Sequence, residues 1–264
     1  MGNIIFAVSG KGGTGKTSIG ANVVSCLGIL GHKTVIADMD IGLRNVDIAL
    51  GVSDKTVMHF GDVLKGGVAL EDALVSRPDL PNLSVLAAPG EFARVDGEAF
   101  GRMLGRLSEM FDFVWLDGPA GLSGWVRTVA SLSDTVIAVS TPDVASVRDA
   151  ARVSEMLDEM GKDAAKLIVN RVRPRLIDAN GALYIDEIMD GAGMALLGIV
   201  PEDERVIAAA NKGEPLAAFA QDGAAMACRN IALRLTGKRV PLGTLKVTGQ
   251  AKRGFLDMLN MKEG

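Results

Sequence analysis

A glycine loop carrying two lysines sets the tightest limit on what this chain can fold into. The run Ser9-Gly10-Lys11-Gly12-Gly13-Thr14-Gly15-Lys16-Thr17-Ser18 places them at positions 11 and 16 of one phosphate-sized loop. The residues before it, Asn3 to Val8, read as a buried strand, and those after it keep helical apolar spacing without proline to about Leu30. In a strand–loop–helix unit of this kind, glycines let successive backbone N–H groups converge on a phosphate, and the helix start adds its positive dipole end. The pattern G-x-x-x-x-G-K-[ST] is complete. It makes Gly12, Gly13, Thr14, Gly15 and Ser18 candidate cradle residues, Lys16 the partner of the β/γ oxygens, and the Thr17 hydroxyl a ligand for Mg²⁺. One lysine suffices for that chemistry, so spacing alone leaves Lys11 open between a solvated loop residue and a second phosphate contact.

Further along, six short apolar runs read as strands: Lys33–Asp38, Leu83–Ala87, Phe113–Asp117, Thr135–Ser140, Lys166–Asn170 and Ala195–Val200. Helical patterns fall between and after them near 96–111, 146–160, 183–190 and 222–236. Strands separated by helices predict an α/β fold, a mostly parallel twisted sheet with helices on both faces. With 264 residues, 48% of them hydrophobic, the chain is long enough to bury such a sheet.

Ligands in these sheets bind beyond the carboxyl ends of the strands. Asp38, Asp117 and Asn170 are expected at that edge. If the second strand continues to Asp40, the carboxylates of Asp38 and Asp40 lean the same way, one to orient Mg²⁺ through its water shell and the other to position an attacking water. Asp117 ends an apolar run and leads into a glycine-containing turn. Each acid has an alternative role as a helix N-cap or turn residue.

A net charge of −4 gives no basic footprint for nonspecific nucleic-acid binding. Cys26 and Cys228 are far apart and have no CxxC spacing, and His32 and His59 lack metal-ligand spacing. Neither a signal stretch nor a membrane span is expected, which points to the cytoplasm. Met1-Gly2 does not open a myristoylation motif, because Phe6 stands where Ser or Thr is needed. After Leu235 the chain turns polar, with a linker expected at 241–253. An apolar group returns at 254–264, where a helix would put Phe255, Leu256, Met258 and Leu259 on one side.

Lys-Gly-Gly-Thr-Gly-Lys-Thr at 11–17 resembles the deviant Walker A loop of the ParA/MinD ATPase superfamily. Ala37-Asp38-Met39-Asp40-Ile41-Gly42-Leu43-Arg44-Asn45-Val46-Asp47 is similar to its switch I, and Asp117-Gly118-Pro119-Ala120-Gly121 to its switch II. Matches at 142–149, 198–203 and 211–215, and the terminal Lys252-Arg253-Gly254-Phe255-Leu256, extend the resemblance over essentially the whole chain, toward the septum-placing branch. The resemblance implies an ATPase domain over 1–240 that hydrolyses ATP with Mg²⁺ and forms a nucleotide-sandwich homodimer. In it Lys11 reaches the other subunit's phosphates, and Lys16 and Thr17 hold phosphate and metal. Asp40 activates water, while Asp38 and Asp117 lie around the ion. Asn170 and Arg171, with Pro201, Glu202 and Asp203, frame the adenine.

The implied partners are an anionic membrane surface, a MinC-like division inhibitor and a MinE-like activator met by Arg148 and Asp149; no specific nucleic acid is implied. A solvated helix face is the plainer reading of those two residues. The tail is only about two helical turns long and should hold a bilayer weakly, but two copies in a dimer can gain about a hundredfold in avidity. ATP-dependent pairing then becomes ATP-dependent attachment to the cytoplasmic membrane face. The tail sets Lys252, Arg253 and Lys262 against Asp257 and Glu263, less basic than is usual in the family, and Ser123 stands where an acid is common. A relative that positions DNA or flagella is the alternative reading.

Overall fold

The computed structural model of the protein describes residues 1–91, 95–162, 165–179 and 181–242. The first half runs β1 (Asn3–Ser9), α1 (Lys16–Ile29), β2 (Thr34–Asp38), α2 (Val46–Ala49), α3 (Phe60–Leu64), α4 (Leu70–Ala73), β3 (Leu74–Arg77), β4 (Leu80–Leu86) and α5 (Gly97–Met110). It continues with β5 (Phe113–Ala120), α6 (Gly124–Ser131), β6 (Thr135–Ser140), α7 (Val144–Glu159), β7 (Ala165–Val172) and α8 (Pro174–Asp178). The remaining elements are α9 (Ile185–Ala192), β8 (Ala195–Pro201), α10 (Glu204–Ala210), a 3-10 turn at Leu216–Ala218, and α11 (Gly223–Leu235).

Among the described residues the strands form one sheet in the order β3-β4-β2-β5-β1-β6-β7-β8. Every pairing is parallel except that of β3 with β4. This is the α/β sheet the sequence predicts, with one addition. The antiparallel edge strand β3 escapes the sequence pattern because four residues are too few to show a period.

Alternation along β1 feeds two cores. Phe6 and Val8 point to the face that packs Phe60, Phe100 and Leu116. Ile5 and Ala7 point to the face that packs Leu27, Ile36 and Trp115. Helix α1 is apolar nearly all round, and Ile19 to Gly28 are buried between the sheet and α11.

One strand ends at the acid where it was expected to, and another runs past its acid. β2 stops at Asp38 and does not reach Asp40, because the Asp38 carboxylate accepts the N–H groups of Asp40 (2.8 Å), Asn45 (2.9 Å) and Val46 (3.1 Å) and turns the chain. β5 runs past Asp117 to Ala120, so Asp117 lies within the strand. Gly118 permits this, since a Cβ there would come within 2.5 Å of the Ala7 carbonyl oxygen and the Phe6 ring.

At the other end, Arg234 of α11 donates to the carbonyls of Leu197 (2.9 Å), Val240 (2.9 Å) and Pro241 (2.6 Å), fastening the chain to the sheet as far as Pro241. Most of the expected linker, and all of the tail with Phe255, Leu256, Met258 and Leu259, lie outside the described residues. Among the described residues no helix is long and apolar enough to cross a membrane.

Candidate functional site

The loop between β1 and α1 lies at the carboxyl edge of the sheet, flanked by β5 and β6. Gly15 caps α1 with φ 90°, a left-handed conformation that a glycine adopts freely. No other residue fits there, because a Cβ would stand 2.3 Å from the Asn170 amide nitrogen. That nitrogen donates to the Thr14 carbonyl at 2.8 Å, so Asn170 at the end of β7 buttresses the loop.

Lys16 is buried, and its ammonium donates to the Ser9 hydroxyl at 2.7 Å; Ser9 in turn donates to the Lys11 carbonyl at 2.6 Å. The Lys16 side chain is thereby folded back along its own loop. Burial pulls its pKa down, while the nearby Asp117 and Asp40 carboxylates oppose that fall.

Asp38 and Asp117 are register partners on the adjacent strands β2 and β5, so both side chains leave the same face of the sheet. Thr17 donates to Asp117 Oδ2 at 2.6 Å. Burial, reinforced by the Asp38 charge, pushes the Asp117 carboxyl up to about 7. Burial also raises Asp38, to about 6, against its three backbone donors. Asp40 is half-buried; desolvation raises its pKa and Lys16 lowers it.

The other oxygen of Asp117, Oδ1, is buried without a hydrogen-bond partner. An orphaned carboxylate oxygen beside a second acid and a threonine hydroxyl is what a divalent cation would satisfy. Among the described residues no three acidic, histidine or cysteine side chains form a self-sufficient metal cage. An ion here would therefore share its ligands with phosphate oxygens and water, as Mg²⁺ does.

This burial has a pH signature in the nucleotide-free protein. A carboxyl whose pKa rises from 3.8 to about 7 on folding adds stability that is complete below pH 4 and is lost as pH rises through 7. Asp117→Asn, which keeps an acceptor for Thr17 but carries no charge, should melt above the wild-type protein at pH 8. The gap should narrow toward pH 5, as thermal unfolding at the two pH values will show.

Lys11 points elsewhere. Its ammonium pairs with Asp143 at 3.1 Å, beyond the end of β6, and the two side chains are 37% and 50% exposed. Asp143 also accepts from the Thr141 hydroxyl and the Ser146 N–H. Burial would raise its pKa, but these three donors outweigh it and hold the carboxyl below its ordinary value.

Arg148 and Asp149 sit on the first turns of α7. Arg148 is exposed, and Asp149 packs against the loop so closely that a Cβ on Gly10 would lie 2.5 Å from its own. The five residues expected around a base, Asn170, Arg171, Pro201, Glu202 and Asp203, all line one cavity with Gly15, Ser18 and Ile19. Asp203 is already engaged there, by Arg205 at 2.7 Å and the Ala224 N–H at 3.2 Å. Cys228 lines the same cavity and Cys26 is buried; both are free thiols, and burial pushes Cys26 up to about 12. His59 caps α3 reciprocally with Asp62.

Sequence reasoning assigned no role to Ser9, Asp143 or Trp125. Only Asp143 left a trace, in the Asp-x-x-Ser pattern of an N-cap that α7 uses.

Comparison with known proteins yields a consistent set. The family model for the CobQ/CobB/MinD/ParA nucleotide binding domain matches residues 5–216. The septum site-determining protein MinD of Bacillus subtilis is 38% identical over 250 residues, 93% of each chain. A structure of the MinC:MinD cell division protein complex from Aquifex aeolicus superposes with a TM-score of 0.87 at 34% identity, covering 92% of this chain and 98% of that one. MinD of Pyrococcus horikoshii, solved as a complex with Mg-ADP, gives 0.79 at 28% identity, covering 89% and 96%.

Proposed function

The chain belongs to the MinD/ParA family of nucleotide-binding proteins, and on that premise we propose that it is an ATPase that pairs on binding ATP and takes part in placing the division septum. The observation that carries this reading is the Thr17–Asp117 hydrogen bond near the buried Lys16 ammonium, with the second Asp117 oxygen buried and partnerless. Mg²⁺ bound there would draw charge from the β/γ oxygens. Lys16 neutralises those oxygens, Thr17 and Asp117 hold the ion's side of the site with Asp38 behind them, and Asp40 orients the attacking water. Asn170, Arg171, Pro201, Glu202 and Asp203 frame the base. The Mg-ADP bound by the Pyrococcus relative supports this choice of ligand.

Lys11 is left for the second subunit. Lys16 already serves the loop's own phosphates, and an ion pair as exposed as Lys11–Asp143 contributes at most about 1 kcal/mol. Lys11 is thus held loosely at the rim, free to cross to a partner's phosphates when two copies meet.

The paired form would then carry two terminal segments side by side. We place Phe255, Leu256, Met258 and Leu259 of each at the cytoplasmic face of an anionic membrane, and hydrolysis, stimulated by a MinE-like activator at Arg148 and Asp149, would reverse the attachment. A MinC-like inhibitor is the recruited partner, in keeping with the MinC:MinD complex of the Aquifex relative.

Co-sedimentation with liposomes containing anionic lipid tests the attachment. Binding should appear with a nonhydrolysable ATP analogue, be weak with ADP, and vanish when residues 254–264 are removed. Binding indifferent to nucleotide would contradict the switch.

A further inference from the structure

We propose that Trp125 is a positioning residue for Asp40, holding the peptide unit from which that carboxylate departs. The proposal rests on the reading of this site as one that hydrolyses ATP.

The unit in question joins the Met39 carbonyl to the Asp40 N–H, and it is planar and stiff. Its N–H donates to Asp38 Oδ1 at 2.8 Å, and its carbonyl accepts from the Trp125 indole N–H at 3.1 Å. One peptide plane is thus tied at both edges. The preceding N–H, that of Met39, donates to the Asp117 carbonyl at 2.8 Å, and the Met39 side chain is fully buried. What remains free is rotation about the bonds of Asp40 itself, so the position of its Cα depends on these anchors.

The indole is well placed to act as one of them. It stands at the second residue of α6, just beyond the turn that follows β5, and meets the Phe100 ring of α5 edge-on with centroids 4.8 Å apart. Phe100 leans in turn on Phe60 of α3, at 6.2 Å. The ring is carried by α6 and packed by Phe100 of α5, which Phe60 backs, and its one polar atom is aimed at one carbonyl. The bond also links the chain after β2, which carries Asp40, to the helix that follows β5, the strand that carries Asp117. Trp125 does not line the base cavity, and its hydrogen bond goes to Met39 and its ring contact to Phe100, so it should affect turnover and leave nucleotide binding intact.

Trp125→Phe keeps an aromatic ring on α6 and removes the donor together with part of the ring's volume. With saturating Mg-ATP its kcat should fall about five- to tenfold, the size expected for one lost hydrogen bond to a positioned group, with KM within twofold of wild type. Amide exchange in the nucleotide-free protein supplies a second readout: residues 39–46 should exchange at least about fivefold faster, while β1 is unchanged. Trp125→Ala should show the same kinetic split together with a lower melting temperature.

A purely structural role predicts a lower melting temperature without the kinetic split. Trp125→Phe turnover and exchange equal to wild type would overturn the proposal while leaving the ATPase reading intact. A wild-type protein that binds but never hydrolyses ATP would overturn the reading first, and the proposal with it.

Discussion

Lys16→Ala should lose at least about a hundredfold in affinity for Mg-ATP, measured by calorimetry or by displacement of a fluorescent nucleotide. Lys16 is a buried ammonium whose hydroxyl partner, Ser9, folds it back over its own loop, so it would meet a phosphate already oriented. Charge-assisted hydrogen bonds of this kind contribute about 1.5–3 kcal/mol each, and two phosphate contacts suffice for the predicted loss. Removing the cation also leaves Asp117 and Asp40 without their nearest positive neighbour, which should drive both toward the protonated form. The variant should therefore remain folded at neutral pH while binding Mg²⁺ poorly. Lys16→Arg should not restore affinity, because a planar guanidinium is larger than the space an ammonium occupies against Ser9.

Asp40→Asn separates binding from chemistry. Asp40 lies beyond the end of β2 and makes no part of the phosphate cradle, so affinity for Mg-ATP should stay within about threefold of wild type. Hydrolysis should drop by at least about a hundredfold, the lower range for loss of a general base. Single-turnover measurement with radiolabelled ATP gives both numbers on one sample. A variant that hydrolyses at the wild-type rate would remove Asp40 from the mechanism and leave the water to be activated elsewhere, Asp38 being too committed to backbone N–H groups to serve.

What could be read from the chain and what could not follow from the range of the interactions. The loop at 10–17 is legible because its proposed mechanism is local: glycine, lysine and threonine would act on one phosphate from one turn, and their spacing is the signal. The same holds for β1, β2, β5 and β6, whose apolar runs are bounded by acids or turn residues. The strand order is not local, and with it go the contacts that give the site its character. Asp38 faces Asp117 only because β2 and β5 are neighbours, although 78 positions separate them.

The partner of Lys11 lies beyond β6, and the anchor of the Asp40 peptide lies on α6; neither has a sequence pattern that points to its target. Asp38 illustrates the limit of motif reading. Its place at a strand end suggested alternation with Asp40, whereas its carboxylate is spent on turning the chain and so sets Asp40 on a loop. The short helices α2, α3 and α4 and the edge strand β3 were invisible for a simpler reason: four or five residues do not establish a period.

The account stands on pairing through Lys11, and light scattering of the full-length protein tests that most directly. With a nonhydrolysable ATP analogue and Mg²⁺ the wild-type protein should double its mass, while Lys11→Ala should bind the analogue and keep the mass of one protomer. A wild-type protein that stays single, or a Lys11→Ala protein that pairs as readily, would contradict it.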